Sequence, residues 1–254
     1  KRRLDDGVPL GVAVAALLRE RTRRYALAHA LLASLPVEEA ITTNYDDLFE
    51  RASADVDRPC TVLPGGEVAR GRRWLLKMHG TVERPETIVL TREDYMKFQE
   101  NRTALAGIVQ ALLLTRHMMF VGFSFTDDNF HRIAHAVRQS LGGERTRFGT
   151  TLVVASNPLA EELWGDDLDW IAFDGSLADQ ARVLDIFLDR LAARAASATA
   201  HLGERRYDGV LSTGERALRD RLEAFVEATG APERDTGAWA EVERLLRRLG
   251  IRAR

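Results

Sequence analysis

The stretch "HMMFVGFSFTDDNFHRIAHAVRQSL" (His117–Leu141) decides the fold. Its apolar run, Met118–Phe123, suits a strand buried on both faces, which is the habit of parallel sheets. Ser124–Asn129 then form a polar loop, and Ile133, Ala134, Val137 and Leu141 recur at helical spacing. A strand that ends in polar residues and turns straight into an amphipathic helix is one βα unit of an α/β fold.

The pattern repeats on both sides of this unit. Downstream, "TTLVVASNP" (Thr150–Pro158) reads as a strand ending in Ser156 and Asn157, and "DWIAFDG" (Asp169–Gly175) as another, before a helix over about 177–196. Upstream, residues 11–35 read as one helix stopped by Pro36. "VEEAITTNY" gives a strand, and "DDLFERASA" a helix that Asp46 or Asp47 can cap. "RRWLLKMHG" gives a strand ending at His79 and Gly80, and "TIVLTREDY" a short strand turning into a helix with Tyr95 and Phe98. Strands alternating with helices predict a doubly wound α/β domain with a parallel sheet over 1–200.

Beyond about residue 200 the pattern becomes helical only. "STGERALRDRLEAFVEATG" opens on a capping box, Ser212 with Glu215, and stops at Gly230. "TGAWAEVERLLRRLG" sets Trp239, Val242, Leu246 and Leu249 on one face. Residues 201–254 are therefore expected to form a helical appendage, packed on the sheet domain or used for assembly.

Composition narrows the rest. The 254 residues are 45% hydrophobic and 29% charged, with a formal net charge of -2, so no global field draws the chain to nucleic acid or membrane. Basic clusters at Lys1–Arg3 and along the tail to Arg254 read as solvated faces, and nucleic acid is expected only through a partner. Cys60, the single cysteine, excludes an intrachain disulfide or a cysteine-rich zinc module, and fits a reducing cytoplasm. No apolar run reaches the roughly 18 residues of a membrane span. His131 and His135 stand four apart on a helix, but the sequence supplies no evident third ligand. "GFSFT" lacks the second small residue of a nucleophile elbow.

The strand ends carry the chemistry. Asn44 and Asp46, then His79, then Ser124 with Asp127 and Asp128, and then Asn157 fall where open α/β sheets bind ligands. Singly, each has an ordinary explanation: a helix cap, a turn residue or a hydroxyl bonded to backbone. Their shared edge is what favours a site.

In this order, "ITTNYDDLFE", "LLKMHG", "IVLTREDY" and "FVGFSFTDDNFHRI" resemble the successive motifs of the SIR2-like domains of bacterial antiphage defence proteins, over about residues 25–175. The resemblance implies a Rossmann-like fold that binds NAD+ and hydrolyses it to nicotinamide and ADP-ribose. It implies Asn44 and His79 as catalytic residues, with Thr43, Asp46, Gly122, Ser124 and Asn157 holding NAD+. It also implies silencing until an assembly, a homo-oligomer or a partner protein, releases the activity in abortive infection. Two departures stand out. The zinc ribbon and acyl-lysine segment of sirtuin deacylases are absent from the sequence, which argues against deacylation. The Gly-rich loop that cradles the pyrophosphate is also unmatched, and the resemblance places it upstream of residue 1. An idle scaffold that binds NAD+ or ADP-ribose as a signal remains the alternative.

Overall fold

The computed structural model describes residues 7–69, 72–142, 147–154, 157–195 and 200–251. Lys1–Arg3, Ser156, Arg252, Arg254 and the Phe98 side chain lie outside the described residues. The chain divides into two compact units, Lys1–Arg190 and Leu191–Arg254.

The first unit is α/β. It opens on α1 (Leu10–Arg21) and α2 (Leu27–Ser34), where the periodicity predicts one helix over 11–35. The break has a local cause. Thr22 turns its hydroxyl onto the Leu18 carbonyl, and Arg51 donates to the freed Thr22 and Arg23 carbonyls at 3.2 and 2.6 Å. An arginine from the third helix thus satisfies the polar backbone that a broken helix exposes.

Then come β1 (Glu39–Thr42), α3 (Leu48–Asp55), β2 (Thr61–Leu63) and β3 (Trp74–Lys77). They form a parallel sheet in the order β1-β3-β2, with Ile41 opposite Leu76 and Val62 opposite Leu75. Leu75 and Leu76 of the central strand are buried, as its place demands. "TIVL" is not a strand. A 3-10 turn at Pro85–Thr87 leads instead into an extended segment that meets β3's exit through one bond, Val89 N to His79 O, at 2.9 Å. Ile88 and Val89 are buried all the same, which explains their apolar signal.

The long α4 (Arg92–Thr115) is broken at Arg102, whose guanidinium donates to the Met78 and Thr87 carbonyls. A second parallel sheet, ordered β4-β5-β6, is built from β4 (Met118–Val121), β5 (Gly149–Val153) and β6 (Leu168–Ala172). Between and after these strands run α5 (Asp128–Ser140), α6 (Pro158–Trp164) and α7 (Leu177–Ala195). β4 is shorter and less buried than its sequence suggests: it ends at Val121, because Gly122 takes a left-handed φ of 64°. As an edge strand of its sheet it is half-buried along its length.

The expected doubly wound, Rossmann-like arrangement is present as two three-stranded parallel sheets flanked by helices. Among the described residues β1 does not pair with β4. The carboxyl ends of β1, β3 and β4 nevertheless meet at one cleft.

The second unit contains α8 (Thr213–Ala228), α9 (Ala231–Arg234) and α10 (Gly237–Arg248). The Ser212–Glu215 capping box forms as the sequence predicts. Val226, Trp239, Leu246 and Ile251 make a small core of the unit's own. Trp239 is therefore covered rather than presented outward, while Leu218, Phe225 and Leu245 stay exposed.

Candidate active site

The carboxyl ends of β1, β3 and β4 open into one cleft of about 520 Å³. Thr43 and Asn44 reach it from β1, His79 from β3, and Gly122, Phe123 and Ser124 from β4. Thr126, Asp127 and Asp128 line it from the start of α5, and Arg92 and Tyr95 from the first turn of α4. Thr43, Asn44, His79, Gly122 and Ser124, singled out by sequence, thus meet in space. Asp46 and Asn157 are not in the lining. The Asp46 carboxylate accepts from Leu48 N at 3.1 Å at the head of α3, and the Asn157 carbonyl oxygen caps α6 through Ala160 N at 3.1 Å. Asn157 is the cap of α6, whereas Asp46 makes a local turn just ahead of Asp47, the N-cap residue of α3.

His79 is buried, at 3% exposure, which is unusual for a group that merely turns a chain. Its Nε2 lies 2.9 Å from Asp127 Oδ2, and its ring stands edge-on to Tyr95 at 5.4 Å. Gly80 follows because nothing else fits: its φ is 92°, and a Cβ there would lie 2.2 Å from the Thr87 carbonyl oxygen. The other oxygen of Asp127 accepts from Asn129 N at 2.8 Å and Phe130 N at 3.3 Å, capping α5. One carboxylate therefore joins the imidazole to a helix N-terminus.

The electrostatics follow from this pairing. Burial alone would raise the Asp127 carboxyl, but His79 and the two capping N–H groups outweigh it and hold the acid below its ordinary range. Burial, with Asp127 next, pushes the Tyr95 hydroxyl up to about 12, and burial and Asp127 also raise Tyr45. Both phenols are hydrogen-bond donors at neutral pH. Tyr45 donates to the Val89 carbonyl at 2.7 Å, bracing the loop beyond Asn44. The cleft floor is an anionic environment around a neutral phenol.

The loop from Gly122 to Asp127 is shaped from behind. Phe125 adopts a left-handed φ of 56°, costly for a bulky residue. Its ring packs at 5.0–5.9 Å among Phe120, Phe123, Phe130, Trp164 and Trp170. Its carbonyl lies 2.6 Å from His131 Nε2. That contact accounts for His131 without a metal partner at His135. Among the described residues no group of three His, Cys, Asp or Glu stands close enough to hold a metal ion. Ser124 and Thr126 bond hydroxyl to hydroxyl at 2.8 Å on the exposed side.

The sequence reading placed Asp127 at the right edge but not against His79. Its position just before a helical repeat, in "TDDNF", signals the cap and hence where the carboxylate is held. A comparable signal precedes Arg92 and Tyr95, the Thr91–Asp94 capping box that starts α4. They reach the cleft only because α4 starts beside it.

The family model described as SIR2-like domain matches residues 38–168, just over half of the 254 residues. An "NAD(+) hydrolase ThsA" from Bacillus cereus (strain MSX-D12) is 35% identical over 139 residues, covering 52% of this chain and 29% of that protein. One of the same name from Enterococcus faecium is 35% identical over 121 residues, covering 43% and 24%. "Defense-associated sirtuin 2" from Bacillus subtilis is 26% identical over 117 residues, covering 44% and 12%. The chain spans less than a third of the length of the curated relatives it matches. Every cleft-lining residue lies inside the stretch matched by the family.

Proposed function

Because this chain belongs to the SIR2-like domain family, we propose that its cleft hydrolyses NAD+ to nicotinamide and ADP-ribose, as the effector part of a bacterial antiphage defence protein. The observation that carries the reading is the meeting of Asn44, His79 and Asp127 in one cleft at the carboxyl ends of parallel strands.

The chemistry asks little of covalent catalysis. When the nicotinamide–ribose bond breaks, its electron pair leaves with the ring nitrogen and a cationic pyridinium becomes neutral nicotinamide. Positive charge develops on the ribose, as in glycoside hydrolysis. The anionic field around Asp127 stabilises that charge, in a site partly screened from water. Water then attacks the anomeric carbon and gives its proton to His79. Asp127, at 2.9 Å, orients the imidazole and stabilises it once protonated. Asn44 holds the ribose or the attacking water, with Thr43, Gly122 and Ser124 along the same wall. In this reading Asp46 and Asn157 act on NAD+ only if they give up these backbone bonds.

The assignment extends to organisation. Residues 1–200 bind NAD+, and the appendage over 201–254 serves packing or assembly. Activity is released in a homo-oligomer or with a partner defence protein, and any nucleic acid is met through that partner. Among the described residues no helix is long and apolar enough to cross a membrane.

The test incubates the full-length protein, with any partner present, with NAD+ and follows nicotinamide and ADP-ribose beside a His79→Ala control. Release that vanishes in the control supports the hydrolase. Absence of release, with ADP-ribose still bound, favours the signal-binding scaffold.

A further inference from the structure

Lys77 does not line the cleft, yet it is the most deeply buried charged side chain among the described residues, at 1% exposure. It ends the central strand of the first sheet, where an apolar residue is the rule. Its ammonium donates to the Asp46 backbone carbonyl and pairs with Glu50 Oε1 at 2.8 Å. Among the described residues Glu50 Oε2 has no hydrogen-bond partner, and burial pushes that carboxyl above its ordinary range against the pull of Lys77. An ion pair of this kind returns little stability for the desolvation it requires. The reason for keeping it lies elsewhere.

That reason is visible in the loop bearing Asn44. Met78 N donates to Thr42 O at 3.0 Å, Val82 N donates to Tyr45 O at 2.8 Å, and Lys77 Nζ donates to Asp46 O. Three carbonyls spanning residues 42–46 are thus held by three donors from 77–82. Asn44 lies inside the first segment and His79 inside the second. The two segments are distant in sequence but act as one rigid piece. Two of the donors are backbone groups, so Lys77 supplies the tie that a side-chain change can remove.

We propose that Lys77 is a positioning residue, whose buried ammonium holds the Asp46 carbonyl and so fixes Asn44 against His79. Glu50, 2.8 Å away, aims that ammonium. The consequence for turnover rests on the hydrolase reading above; the consequence for the loop does not.

The experiment compares full-length wild type, Lys77→Met and Lys77→Met/Glu50→Gln by amide hydrogen exchange at Met78 and Val82, whose N–H groups bond the loop carbonyls, by thermal melting and by NAD+ kinetics. The single variant strands a buried carboxylate and is expected to melt earlier. The double variant removes that charge and is expected to recover most of the melting temperature. In both, exchange at the Val82 amide, which donates to the Tyr45 carbonyl of the loop, rises at least about tenfold, while β3 stays protected. In both, kcat falls on the order of a hundredfold with KM changed far less, as expected for misplacement of a reacting group. If exchange in the double variant matches wild type, or turnover returns along with stability, Lys77 is only structural and the proposal fails. If wild type itself releases no nicotinamide, the hydrolase reading fails, and the exchange data still decide the role of Lys77.

Discussion

His79 Nε2 and Asp127 Oδ2 stand 2.9 Å apart, one at the exit of β3 and the other at the entrance of α5. The contact joins the exits of the two parallel sheets, and it brings the cap of α5 to the cleft.

Asp127→Asn keeps a good capping residue but removes the charge behind the imidazole. Turnover of NAD+ is expected to fall on the order of a hundredfold or more. The stability effect has a definite sign. Asp127 is depressed in the folded protein, so its contribution is fully present above the unfolded carboxylate pKa of about 3.9 and is lost as the pH falls through the lower folded value. The melting-temperature gap between wild type and Asp127→Asn should therefore be widest near neutrality and close in acid. A gap that stayed constant down to the acid limit would show that the charge pairing is not what stabilises the site.

Asn44 is exposed in the cleft, whereas His79 is buried under it. Asn44→Ala should leave the melting temperature unchanged and remove nicotinamide release. His79→Ala should remove release as well, but with some loss of stability, because it opens a void and leaves Asp127 facing it. Near-normal release by either variant would overturn the assignment.

Phe125 offers an inversion of a common rule. Its ring is 4% exposed within the aromatic cluster, so Phe125→Ala should cost about 3 kcal/mol in an unfolding titration. Glycine, usually the worse replacement, relieves the left-handed backbone. Phe125→Gly should therefore be about 1 kcal/mol less damaging than Phe125→Ala. The reverse order would mean that the loop relaxes to another path once the ring is gone.

In the second unit, the Ser212 hydroxyl and backbone N–H, followed by His201, pull the Glu215 carboxyl down to about 2. Ser212→Ala should move that carboxyl titration upward, as followed by carboxyl carbon chemical shifts. Nicotinamide release should not change. An unmoved titration would mean that the backbone N–H alone holds the acid.

Much of this arrangement was legible in the residues, because the relevant signals are local. The βα junction at Gly122–Asp127, the capping boxes and the exits of β1 and β3 are written in hydrophobic run, polar loop and helical repeat. What escaped depends on partners far along the chain. The split of residues 11–35 into two helices needs Arg51, which periodicity does not see. "TIVL" is apolar because Ile88 and Val89 are buried, but burial alone does not give a strand its neighbours. His79 was legible as a strand-end histidine. Its approach to Asp127 was not, since that depends on how α5 meets the first sheet. Trp239 sits on an apolar helix face that packing or assembly could equally explain; its cover comes from Val226, Leu246 and Ile251 of the same unit.

The Gly122–Asp127 loop takes its path from aromatic rings packed behind it, while the hydroxyls of Ser124 and Thr126 face outward and bond mainly to each other. The backbone path and the hydroxyl part of the cleft lining are therefore set by different residues. Positions 124 and 126 can change identity without redirecting the loop, so selection can alter the polar groups the cleft presents while the anchor of α5 stays in place. The aromatic cluster is, in that sense, what makes the cleft evolvable.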